Sequence, residues 1–132
     1  MGDAGSGFIG LTLGLLSIQA AQLSFELLAG WLVLLAVFIT DATLTLFRRL
    51  LRGQPLAEAH RSHAYQYAAR RLGSHRTVTL AVAGINLFWL LPIAALMVTG
   101  WLATIPGLVL AYAPLVGLAW WLKAGAAEMQ EV

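Results

Sequence analysis

From Thr77 to Leu122 the chain runs for 46 residues without one Asp, Glu, Lys or Arg. About 20 residues cross the hydrocarbon core of a bilayer, so the run is too long for one crossing and long enough for two. The Gly100–Pro106 region supplies the break, because Pro106 lacks an N–H and disfavours helix at Ile105. A third span over about 77–99 and a fourth over about 106–122 follow, with a kink predicted at Pro92. Two further apolar runs lie upstream. The first covers about 8–23, and no charge falls between Asp3 and Glu26. The second covers about 27–47 and is interrupted only by Asp41. Backbone groups in lipid must bond within their own segment, which favours helices. A membrane barrel would need period-two alternation, and these runs have none. The expected fold class is an all-α integral membrane protein, one domain over 1–132. It has four transmembrane helices and a loop, 48–76, between the second and third.

Composition agrees. Apolar residues make up 60% of the chain and charged residues 11%, where soluble proteins average about 45–50% and about 25%. So few charges cannot cover a water-exposed surface, which excludes a soluble enzyme, a disordered tail and a free nucleic-acid-binding module. Cysteine is absent, so disulfides and thiol chemistry are excluded too. Seven of the eight basic residues fall between Arg48 and Arg76. Arginine packed between apolar spans marks a cytoplasmic loop. The connections near Glu26 and Trp101 carry no Lys or Arg and belong on the other side. The N-terminal segment and the tail with Lys123 return to the cytoplasm. Trp101 and the Trp120–Trp121 pair stand at span ends, where interfacial aromatics belong. No basic region precedes the first span, as a secretory signal requires. This topology places Asp3, Asp41 and the His60–His63 segment on one membrane face.

Each of these polar sites has two readings. Asp3 can start a helix, since a carboxylate favours the positive end of the dipole. It can also hold a divalent metal at the membrane surface, with the neighbouring glycines letting phosphate approach. Gly5, Gly7 and Gly10 match Gly-x-Gly-x-x-Gly, but no strand precedes them, so a dinucleotide site is excluded. Gly10 and Gly14 form a Gly-xxx-Gly face suited to helix packing. Asp41 lies inside an apolar span, where a carboxylate is costly and a functional candidate, and Thr45 shares its helical face. Its other reading is a snorkelling carboxylate paired with Arg48 or Arg49. Glu26 is a solvated turn residue. In the loop, His60 and His63 can share one face of a short helix that ends at Gly73. They are either solvated interfacial side chains or, with Arg61, a phosphate-binding set, since Arg gives bidentate hydrogen bonds and His exchanges protons.

Three pieces in order carry a family resemblance. They are Met1-Gly2-Asp3-Ala4-Gly5-Ser6; Asp41 followed by Arg48-Arg49 through Gly53; and Ala59-His60-Arg61-Ser62-His63-Ala64-Tyr65-Gln66. Together they resemble the C-terminal part of the polyprenyl-phosphate N-acetylaminosugar-1-phosphate transferases (glycosyltransferase family 4), closest to the O-antigen-initiating branch. The resemblance implies a multi-pass enzyme of the bacterial inner (plasma) membrane with its active face cytoplasmic. It implies transfer of a sugar-1-phosphate from a UDP-N-acetylaminosugar to polyprenyl (undecaprenyl) phosphate, with release of UMP. The cofactor it implies is Mg²⁺, or Mn²⁺ in its place. Carried onto this chain, Asp3 is the metal ligand and, with His63, catalytic. His60, Arg61 and Asp41 become substrate-binding residues, Asp41 by orienting the loop through an arginine. The family's Asp-Asp pair has no counterpart here, and Tyr65 and Gln66 replace two loop histidines. The resemblance therefore implies further N-terminal helices of the same enzyme, without which these residues are inactive, and allows a homodimer.

Two other classes fit the span count. One is a small four-helix proton-coupled transporter, acting as a dimer with Asp41 as the coupling carboxylate. The other is a structural membrane subunit. Neither calls for the Gly-Asp-x-Gly-Ser start or the His-Arg-x-His loop.

Overall fold

The computed structural model describes residues 3–53, 68 and 73–122, and all regular structure among them is helical. Helix α1 is Asp3–Leu23, α2 is Phe25–Leu34 and α3 is Ala36–Leu51. After the loop come α4 (His75–Ile85), a π-helical stretch (Asn86–Leu90), α5 (Leu91–Val98) and α6 (Thr104–Trp121). Three helical runs are long and apolar enough to cross a bilayer: Ala4–Leu23, His75–Val98 and Thr104–Trp121. The chain is thus an all-α protein of membrane type, and the helix ends lie within a few residues of the expected ones for these three.

The second span differs. The sequence predicts one helix over 27–47. Instead α2 and α3 meet at Leu35 with a bend of 70°. Neither half is long enough to cross alone, and the pair makes a fourth crossing only when taken together. No Gly or Pro stands at the break, which reads Leu34-Leu35-Ala36. A contact from far along the chain meets it: the Tyr112 hydroxyl on α6 donates to the Leu32 carbonyl at 2.8 Å. In an unbroken helix that carbonyl would accept from the N–H of Ala36. The hydroxyl thus caps the end of α2 where the ladder is interrupted, as the low-dielectric surroundings require. Replacing Tyr112 with Phe is expected to lower stability by about 1 kcal/mol. It should also broaden the distance distribution between spin labels at Phe25 and Leu50. An unchanged distribution would show that packing alone holds the bend.

Pro92 produces no sharp kink. The π stretch just before it includes Phe88, whose carbonyl would strike the proline ring in a regular α-helix. Widening the turn there removes the clash, and His75–Val98 continues as one 24-residue span.

Local signals set the other ends. Ser24 is the only residue between α1 and α2, in an extended conformation, and its Oγ accepts from the Leu27 N–H at 3.1 Å. Glu26 sits in the first turn of α2, where a carboxylate suits the dipole. Ser74 caps α4 in the same way through the Thr77 N–H. Gly100, at φ 79°, takes the left-handed conformation that ends α5.

The core is built from small residues. Ala29 and Val33 of α2 and Ala36 of α3 pack with Leu90, Ile93, Ala94 and Met97 from the third span, and with Ala111 and Leu115 of α6. Alanine lets backbones approach closely, which drives helix association in lipid. Large apolar side chains point outward instead: Phe8, Phe38 and Phe88 are each more than 70% exposed. That inversion suits a lipid surround. Trp101 in the α5–α6 turn and Trp120–Trp121 at the end of α6 are exposed at span ends, as interfacial aromatics should be. Gly10 and Gly14 of α1 face open space, so no helix among the described residues uses that Gly-xxx-Gly face.

Candidate functional site

Two contacts order the ends of the bundle. A Cβ on Gly30 of α2 would lie 3.2 Å from Val98 Cγ2, so the start of α2 and the end of α5 are neighbours. The Ser24 and Trp101 turns share that end. At the finish of α3, the Arg48 guanidinium lies 4.1 Å from the centroid of the Trp120 ring, a cation–π contact that pins α3 to the last turn of α6. Arg49 beside it is buried, and Arg52 is exposed. The arginine end of α3 and the tryptophan end of α6 are therefore one end of the molecule, the arrangement the charge pattern predicts. The loop 48–76 leaves from it.

Asp41 lies seven residues before Arg48 on α3, about 10 Å along the axis at 1.5 Å per residue. It is half-buried. Thr45 Oγ1 donates to Asp41 Oδ1 at 3.4 Å, as the four-residue spacing predicts, and Thr45 itself is 1% exposed. A threonine hydroxyl held that way favours the carboxylate form and fixes its rotamer.

Asp41 lines two cavities. One, of about 260 Å³, lies among α3, α4 and α6, and reaches Ala119 and Leu122. The other, of about 470 Å³, lies between α3 and the third span, and reaches Asn86 in the π stretch. Both share Val37, Asp41, Val78 and Val82 as walls, so they are two parts of one cleft. Sequence reasoning missed Asn86. Its signal was available: a carboxamide inside the charge-free run is as costly as it is uncommon. It also missed Tyr112, which no local pattern marks.

The remaining expected site residues fall elsewhere. Asp3 is the first residue of α1, at the opposite end of that helix from Ser24. His60, Arg61 and His63 lie outside the described residues, as do Lys123 and the tail. Among the described residues no three His, Asp or Glu side chains gather as a metal site would need. Asp3 alone offers one carboxylate. Mg²⁺ is bound through one or two carboxylates with substrate phosphates and waters, so one carboxylate at a helix start suits a partial donor set.

No family model matches the chain, and neither a curated protein nor a solved structure does.

Proposed function

We propose that the chain is the C-terminal part of a polyprenyl-phosphate N-acetylaminosugar-1-phosphate transferase acting at the cytoplasmic face of a bacterial inner membrane. The observation that carries the reading is the ordered set of three motifs, Met1–Ser6, Asp41 to Gly53 and Ala59–Gln66, interleaved with apolar spans. The arginine end of α3 lying against the last turn of α6 supports it, since the phosphate-binding loop then starts from a fixed, positively charged corner.

In this reading a phosphate oxygen of the lipid attacks the sugar-side phosphorus of the UDP-sugar. The bond from that phosphorus to the bridging oxygen breaks, and UMP leaves. Such transfers ask the protein for positioning and charge stabilisation rather than covalent chemistry. Asp3 would hold Mg²⁺, which neutralises charge where two anionic groups must meet. Arg61 would grip phosphate with its planar fork, and His60 and His63 would donate to phosphate oxygens. Asp41 would orient the loop through an arginine of its own helix. The apolar cleft beside Asp41 suits a protein whose second substrate is a membrane lipid.

One observation favours a second reading. An intramembrane carboxylate lining a cavity is also what a proton-coupled carrier needs, with Asp41 as the coupling group. A single preparation separates the two. The polypeptide encoded by the longest in-frame gene, in nanodiscs with polyprenyl phosphate, is given UDP-N-acetylaminosugars and Mg²⁺. Release of UMP with formation of a lipid-linked sugar phosphate, abolished by chelator, is the expected result. Absence of transfer, with proton flux in liposomes that Asp41→Asn stops, would replace the transferase by the carrier.

A further inference from the structure

The cleft between α3 and the third span has an unusual chemistry for its depth. Its walls are mostly aliphatic, with Val37, Phe38, Val78 and Val82 prominent. Three polar side chains interrupt the larger part: Asp41, Thr79 and Asn86. Asp41, as a carboxylate, only accepts hydrogen bonds. Thr79 spends its proton on the His75 carbonyl at 3.0 Å, which leaves its oxygen as an acceptor. Asn86 Oδ1 is buried and has no hydrogen-bond partner. In the smaller part the buried Thr40 Oγ1 is also without a partner. No Lys, Arg or His lines either part.

Buried polar atoms cost free energy when left unpaired, so a carbonyl oxygen facing an apolar cleft calls for a donor. The π stretch that begins at Asn86 sharpens the point, because π turns inside helices concentrate at functional sites. The occupant must therefore donate hydrogen bonds and bury a long apolar body. Its head cannot be a phosphate, which Asp41 would repel with no cation on the walls to compensate. An ammonium is disfavoured as well, since the head must sit about 10 Å inward of Arg48 along α3, where bringing in a full charge is expensive. A hydroxyl meets every requirement: it is neutral, it donates, and it still accepts from Thr40.

We propose that this cleft binds a long-chain alcohol, with the hydroxyl between Asp41 and Asn86 and the chain along Val37, Val78 and Val82. The site is separate from any phosphate-binding set in the loop and does not depend on the transferase reading. A lipid alcohol of the membrane reaches it sideways, through the gap between α3 and α4.

The test uses the full chain in nanodiscs and a diazirine-bearing isoprenoid alcohol as probe. Its phosphate ester and its acetate ester serve as controls. Photolabelling should fall on peptides from α3 and on residues 75–90, and unlabelled alcohol should compete it away. Both esters should label about tenfold less, the loss expected when a donor to buried acceptors is removed. Val82→Trp should fill the cleft and abolish labelling, and Asn86→Leu should reduce it severalfold. Both variants are checked for an unchanged melting profile. If Asn86→Leu does not fold, Val82→Trp and the ester comparison still decide. Equal labelling by alcohol and acetate, or labelling that survives Val82→Trp, overturns the proposal. Stronger labelling by the phosphate would turn the cleft into a site for the charged lipid and would overturn it too. None of these readouts needs sugar transfer, so a failed transferase assay leaves them standing.

Discussion

A Gly107→Leu chain should fail to hold its third and fourth spans together. Gly107 is buried in the first turn of α6, and a Cβ built there would run into the Met97 side chain, at Sδ and, 2.6 Å away, at Cγ. Leu102 Cδ2 lies 3.3 Å off on another side. Methionine ordinarily yields to such crowding, because it has three rotatable bonds. Here Met97 is fully buried, in the middle of the cluster that joins α2, the third span and α6, so it has no empty direction to turn into. Even Gly107→Ala must push it aside, at about 1–3 kcal/mol, the usual cost of overpacking. Leucine adds three more carbons on the same line and should cost more than the upper figure. The gain in helix propensity over glycine, about 1 kcal/mol, is too small to offset it. Thermal unfolding in detergent reads the effect directly. The expected order of melting temperature is wild type, then alanine, then leucine, with the leucine chain prone to aggregate. Equal melting of all three would mean that α5 and α6 are farther apart than the glycine contact implies.

How much of this was legible in the sequence varies with the range of the cause. The end of α5 is local: Gly100 supplies a left-handed turn and Pro106 follows, so the split of the charge-free run could be read directly. The Asp41–Thr45 bond is local too, because four residues make one helical turn. The break at Leu35 is the opposite case. Leu-Leu-Ala has no reason to leave a helix, and the group that satisfies the freed carbonyl, the Tyr112 hydroxyl, comes from 80 residues away. No window on the chain shows both. Pro92 is intermediate. Its clash with the preceding turn was foreseeable, but a π turn and a kink both relieve it, and the choice depends on whether the helix can straighten against α2. The cleft was half legible. Asp41 declared itself by its charge, whereas Asn86 becomes significant only once α3 and the third span are seen to flank a common cavity. The loop histidines, on which the phosphate chemistry rests, lie outside the described residues, so their reading stays with the motif.

The test with the sharpest consequence for function is Asp3→Asn in the transferase assay, because it separates the two readings of this residue. If Asp3 only starts α1, asparagine is nearly its equal. Both side chains cap helix starts well, and the lost charge costs about 0.3–1 kcal/mol at the positive end of the dipole. Turnover would then fall little, if at all. If Asp3 instead holds Mg²⁺ against the pyrophosphate, an uncharged amide oxygen is a poor substitute, since a hard cation takes much of its binding energy from carboxylate charge. Loss of an electrostatic element of that kind costs on the order of 10²–10³ in rate. The expected result is UMP release down by at least about a hundredfold, with the melting temperature unchanged. Raising Mg²⁺ should recover part of the rate, which a structural defect could not do. His63→Ala should lose less, about tenfold to a hundredfold, and should show no such recovery, because a hydrogen bond to phosphate is not a metal contact. Retention of turnover within a few-fold in the Asp3→Asn chain would leave the residue as a cap and the metal without its ligand.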